Sequence, residues 1–167
     1  MPWEGGQVKL RPLSTVDEAA VLALNAAEAH LDPLGPDRLD WLRLIAAHAA
    51  VVDVDGEVAG FVLTFAPGSA YDGLDFQWFA ATYADRFLYL DRIVVAPAHR
   101  RQGIADLVYR AVERSATPFD RLVCGVRSDP PDEPALALHA ARGFVEVGKL
   151  RHPEGTTNAM LSKELTD

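Results

Sequence analysis

One segment constrains this chain more than any other. Asp91-Arg-Ile-Val-Val-Ala-Pro-Ala-His-Arg-Arg-Gln-Gly-Ile-Ala-Asp106 runs from an apolar strand through a short turn into the start of a helix. At such a junction the first amides of the helix have no internal partner, and they converge with the positive end of the helix dipole. A pyrophosphate satisfies both. Gly103 lets a phosphate approach the backbone, Ala105 is the next smallest choice, and each arginine can add a charge-assisted contact of about 1.5–3 kcal/mol. The dinucleotide pattern G-x-G-x-x-G and the nucleoside-triphosphate pattern G-x-x-x-x-G-K-[ST] are both absent. Taken alone, Arg-Arg-Gln-Gly also reads as a solvated loop; the strand before it and the helix after it favour an anion site.

The rest of the chain supplies a sheet for that junction. Val8–Leu13 reads as a strand, followed by a helix from Ser14 or Thr15 to about Ala29 and a second over Asp37–His48. Asp55-Gly56 between Ala50–Asp53 and Glu57–Phe65 signals a hairpin. Pro67–Arg86 is a long aromatic insertion with room for one short helix. Further elements are a strand over Phe87–Val95, a helix over Gly103–Ser115, a strand over Arg121–Val126, a helix over Pro134–Arg142 begun by Asp132, and strands over Phe144–Leu150 and Thr157–Glu164. The order predicts an α/β or α+β architecture, a mixed sheet of about seven strands with about four helices. At 167 residues a single domain over 1–167 is expected.

Composition narrows the partners. A net charge of −8 disfavours nucleic acid. Apolar runs such as Phe61–Ala66 fall far short of the roughly 20 residues of a membrane span, and the N-terminus lacks a signal-peptide plan, so a cytoplasmic location and no membrane partner are expected. Cys124 is the one cysteine, which leaves no Cys-based metal site and no internal disulfide, and it reads as buried and inert.

Arg100-x-x-Gly103-x-Ala105, following Ile93-Val94-Val95 and Pro97, resembles the R/Q-x-x-G-x-G/A signature of the GNAT acetyltransferases. The likeness continues through Asp129-Pro-Pro-Asp-Glu-Pro-Ala-Leu-Ala-Leu-His-Ala-Ala-Arg-Gly-Phe144, similar to the family's second half, and covers nearly the whole chain. Tyr71-Asp72 and Tyr89-Leu-Asp-Arg-Ile-Val-Val resemble a bacterial branch of the superfamily. The resemblance implies a sheet whose fourth and fifth strands splay around acetyl-CoA, and direct acetyl transfer to an amine, small molecule or peptide, with acetyl-CoA as cosubstrate and no metal. The backbone of Ile93, Val94 and Val95 is then expected to hold the pantetheine and a developing oxyanion. Arg100, Arg101, Gln102, Gly103, Ile104, Ala105 and Asp106 are expected to hold the pyrophosphate. A homodimer is common in the family, and the residues give no independent sign of one. A non-catalytic acyl-CoA-binding module is the alternative reading.

Asp91 shares a strand face with Tyr89, Ile93 and Val95. It reads either as a catalytic or substrate-orienting carboxylate or as a structural partner of Arg86 or of a backbone amide. By the resemblance, His139 stands where many relatives carry a tyrosine facing the thioester. It reads as the acid for the departing thiolate, as a hydrogen-bond partner of the sulfur, or as a buried helix residue satisfied by a carbonyl. Asp132 and Ala135 replace the asparagine and serine frequent in relatives, and Asp132 reads mainly as a helix cap. Trp41, Tyr71, Trp78, Tyr83 and Tyr89 are candidates for an acceptor pocket suited to a cationic or aromatic amine. The aromatic insertion equally reads as anchors that hold it to the body.

Overall fold

A computed structural model of the chain describes residues 7–166. The elements run β1 (Val8–Pro12), α1 (Glu18–Ala26), α2 (Pro36–Ile45), β2 (His48–Val54), β3 (Glu57–Phe65), α3 (Leu74–Tyr83), β4 (Leu88–Val95), α4 (Ile104–Ala116), β5 (Arg121–Asp129), α5 (Glu133–Ala141), β6 (Val145–Arg151) and β7 (Thr157–Glu164). The strands form a mixed seven-stranded sheet in the order β1-β2-β3-β4-β5-β7-β6, the expected α/β architecture. Five α-helices lie among the described residues, one more than expected, because the aromatic insertion forms α3 in full.

The chain divides into two compact units. One comprises the residues up to Phe65 with Arg92–Ala111; the other comprises Ala66–Asp91 with the residues from Val112 onward.

In the first unit β1, β2 and β3 form an antiparallel meander. The β2–β3 turn places Asp55 at φ 52° and Gly56 at φ 89°, as a two-residue hairpin requires, and Asp53 Oδ1 accepts from the Gly56 amide at 2.7 Å. Val21 of α1 and Leu39 and Leu42 of α2 are fully buried with Val51, Phe61 and Leu63. Helix α2 stops at Ile45, three residues short of expectation, because Ala46 is extended and His48 pairs with Thr64 in the hairpin ladder. Helix α1 likewise ends at Ala26 rather than Ala29. Its start is a 3-10 turn over Thr15–Asp17, where Arg11 clamps the buried Asp17 through two hydrogen bonds of 2.8 and 2.9 Å and reaches Asp53 at 2.8 Å. Strand β3 meets the far half of β4 closely: a β carbon on Gly60 would lie 2.5 Å from the Val94 carbonyl oxygen.

In the second unit β7 lies between β5 and β6, antiparallel to both. The near end of β4 pairs parallel with β5 only at Leu88–Leu122 and Tyr89–Val123. Phe79, Phe87, Leu88, Leu122 and Met160 are fully buried. Helix α3 is held by rings: Phe79 lies 5.1 Å from Trp78, 6.0 Å from Tyr89 and 6.5 Å from Phe87, centroid to centroid. Asp132 caps α5, accepting from the Ala135 amide at 3.2 Å, and Gly143 ends it at φ 93°, both as expected.

Candidate functional site

The turn between β4 and α4 lies in the first unit. The Ala96 amide donates to the Ala59 carbonyl at 2.7 Å, tying the end of β4 to β3. A 3-10 turn over Pro97–His99 follows, and Arg101 (φ 67°) and Gly103 (φ 78°) are both left-handed. For Arg101 that backbone is uncommon and costs about 1–2 kcal/mol; left-handed residues ahead of a helix start are a feature of backbone concavities that bind anions. An open groove of about 170 Å³ lies there, lined by Val95, Arg101, Gly103, Ile104 and Ala105 among others.

The two arginines differ. Arg100 donates from Nη2 to Glu28 at 2.7 Å and from Nε to the Val95 carbonyl at 3.2 Å, so it braces the turn and shares its charge. Arg101 is exposed, and no ion pair is recorded for it among the described residues. Gln102 contacts His99 Nδ1 at 3.2 Å, and Asp106 pairs with Arg110 at 2.8 Å. Ile93 and Val95 are half-buried and Val94 is buried. Trp41, on α2 in this unit, is half-buried with the Arg38 guanidinium 5.0 Å above its ring.

The second unit holds a polar cluster wrapped in aromatic rings. Asp91 Oδ1 accepts from the Tyr71 hydroxyl at 2.7 Å. The structural pairing of Asp91 with Arg86 is not found: Arg86 binds Asp120 at 2.6 Å, its neighbour across the ends of β4 and β5. Tyr71 is 8% and Tyr89 5% exposed, their rings 6.2 Å apart. Burial, and then the charges of Asp91 and Asp75, hold the Tyr89 phenol well above its usual pKa, so it stays protonated. Trp78 lies over Gly148, where a β carbon would meet the indole at 2.5 Å. Tyr83 stacks on Phe79 and carries the Arg121 guanidinium 4.1 Å above its ring. Cys124 is buried, and burial pushes its thiol far up.

His139 is 7% exposed and packs edge-on to Phe144 at 5.1 Å. Its Nδ1 lies 2.7 Å from the Ala135 carbonyl. A carbonyl only accepts, so the proton sits on Nδ1 and Nε2 of the neutral ring carries the lone pair. Burial lowers the pKa of the ring, which favours this neutral form.

Asp75, on the first turn of α3, was not singled out by sequence reasoning. It is 7% exposed and accepts from His152 Nε2 and Asn158 Nδ2, each at 2.8 Å. Its carboxylate fills the place of the missing side chain of Gly125, where a β carbon would overlap Oδ2. A lone glycine within an otherwise bulky strand was the available signal, since it marks a close approach. Among the described residues no cluster of three or more His, Cys, Asp or Glu side chains could hold a metal ion, and no helix is long and apolar enough to cross a membrane.

The family model described as the acetyltransferase (GNAT) family matches residues 16–144. No curated protein matches the sequence. Among solved structures, Ard1 from Thermoplasma volcanium superposes with a TM-score of 0.74 at 16% identity, covering 96% of this chain and 99% of that one. The ribosomal-protein-S18-alanine N-acetyltransferase from Escherichia coli gives 0.70 at 18% identity over 96% of each chain. A GNAT family acetyltransferase from Elizabethkingia anophelis with acetyl-CoA bound gives 0.66 at 16% identity, over 98% of this chain and 100% of that one. At these identities the likeness is one of fold.

Proposed function

Because the chain belongs to the GNAT acetyltransferase family, we propose that it transfers an acetyl group from acetyl-CoA directly to an amine. The observation that carries this reading is the doubly reversed turn, with Arg101 and Gly103 left-handed ahead of the first amides of α4. These amides and the Arg101 guanidinium suit a pyrophosphate, while Arg100, engaged by Glu28, acts mainly as a brace. The Ile93–Val95 backbone suits the pantetheine by strand-like pairing, and an amide near Val94 or Val95 suits the charge that develops on the carbonyl oxygen. Bound acetyl-CoA supplies the activated acyl group; all else falls to the chain.

Asp91 is read here as the carboxylate that orients the acceptor ammonium, since its hydrogen bond from Tyr71 fixes it without neutralising it. His139 is read as a support for the end of α5 rather than as the acid, because its Nδ1 proton is committed to Ala135. The departing thiolate belongs to a thiol of pKa about 8.5 and takes its proton from the amine or from solvent. The aromatic setting of Tyr71 and Tyr89 favours a cationic or aromatic amine.

The test is thiol release from acetyl-CoA with pooled polyamines, amino acids, aminoglycosides, aromatic amines and short peptides against a protein-free control. Release with at least one pool is expected. Silence in every pool, with coenzyme binding intact by calorimetry, would instead identify an acyl-CoA-binding module.

A further inference from the structure

Transfer to an amine requires that an ammonium lose a proton before it attacks, and the residues so far assigned do not take it. Asp91 is already placed as the group that holds the ammonium, and histidine is the commonest general base for such a proton. One imidazole of the second unit is built as a base.

His152 opens the turn between β6 and β7, where its amide donates to the Thr156 carbonyl at 2.7 Å and its carbonyl accepts from Gly155 at 2.9 Å. Its Nε2 meets Asp75 Oδ1 at 2.8 Å. The carboxylate oxygen accepts, as its partner oxygen does from Asn158, so His152 gives it the Nε2 proton and keeps the lone pair on Nδ1. A buried carboxylate behind a histidine fixes the tautomer and stabilises the imidazolium that forms, the base-and-orienter pairing of nucleophilic enzymes. The His152 side chain remains 19% exposed, so a solute can reach it. The dyad also adjoins the site already described: Phe76, next to Asp75 on α3, packs 5.7 Å from the Tyr89 ring and 5.8 Å from the ring of Tyr71, whose hydroxyl donates to Asp91. Glu154 of the same turn senses the His152 ring and is also acted on by Arg127 of β5.

We propose that His152 is the general base of the transfer, with Asp75 and Asn158 as its positioning residues. The inference rests on the acetyltransferase reading above. The ammonium proton passes to His152 Nδ1, the freed nitrogen lone pair bonds the acetyl carbon, the carbon–sulfur bond breaks, and the thiolate takes a second amine proton. His152 then returns its proton to solvent.

Two acceptors separate this role from a structural tie: tyramine, a protonated primary amine, and hydroxylamine, which is neutral at pH 7 and needs no prior deprotonation. In His152→Gln, kcat/KM for tyramine should fall about 100-fold or more, while hydroxylamine turnover and the KM for acetyl-CoA change little. Asp75→Asn should show the same split, more weakly. Equal losses with both acceptors would overturn the proposal. Where tyramine is silent, the protonated amine that releases thiol from its pool takes its place; silence with hydroxylamine and with every pool overturns the transferase reading itself.

Discussion

The turn at Arg100–Gly103 and the cluster around Asp75 are made of different material. The turn is a property of backbone: two left-handed residues and the free amides of a helix start, all within a few positions of one another. The cluster is a property of side chains brought from α3, the β6–β7 turn and β7, with Asn158 lying 83 positions from Asp75. A backbone site depends on conformation and tolerates many side chains. A side-chain site depends on packing and fails if any supporting residue changes volume. Recognition of a shared coenzyme suits the first construction, and discrimination among acceptors suits the second.

The largest effect expected from this difference is at Gly125. Gly125→Val places a side chain on Asp75 and should cost about 3 kcal/mol as well as abolishing tyramine turnover, which urea unfolding and the thiol assay would measure. Retention of both stability and turnover would mean that the cluster adapts as freely as a turn. In the turn, Arg101→Ala should weaken acetyl-CoA binding about 10-fold, with unfolding unchanged, by calorimetry at low salt. Arg100→Ala should cost less, because Glu28 already shares that charge; the reverse order would reassign the phosphate contact. The smallest effect is that of pH. Burial lowers the pKa of His48 in the first unit and of His139 in the second. Below about 6.5 the unfolded chain therefore binds protons that the native chain resists, so stability falls as pH drops. His139→Gln should reduce that slope in acid unfolding without removing it, since His48 remains.

The same contrast explains what the sequence revealed. Asp55-Gly56, Asp132 and Gly143 act through their neighbours, and each hairpin, cap or helix end stands where their chemistry put it. The strand–turn–helix junction at Arg100–Gly103 was legible for the same reason. The end of α2 was not, because Thr64, from another strand, draws His48 into a ladder that helical periodicity does not foresee. Asp17 falls in the opening turn of the expected first helix, yet it is buried beneath Arg11, whose guanidinium holds it down to a pKa of about 2. Asp75 was passed over, since nothing local marks His152 and Asn158 as its partners.

The packing of Trp78 has an optical consequence. Trp78 lies against Gly148 in the second unit, and Trp41 is half-buried on α2 in the first; Trp3 lies outside the described residues. Each unit therefore carries one described indole in its own surroundings, and Trp41→Phe and Trp78→Phe, each made with Trp3→Phe, give two single-tryptophan proteins. Their emission spectra would follow the two units one at a time. Coincident transitions would mark a single cooperative body, and separate ones would give each unit its own melting curve.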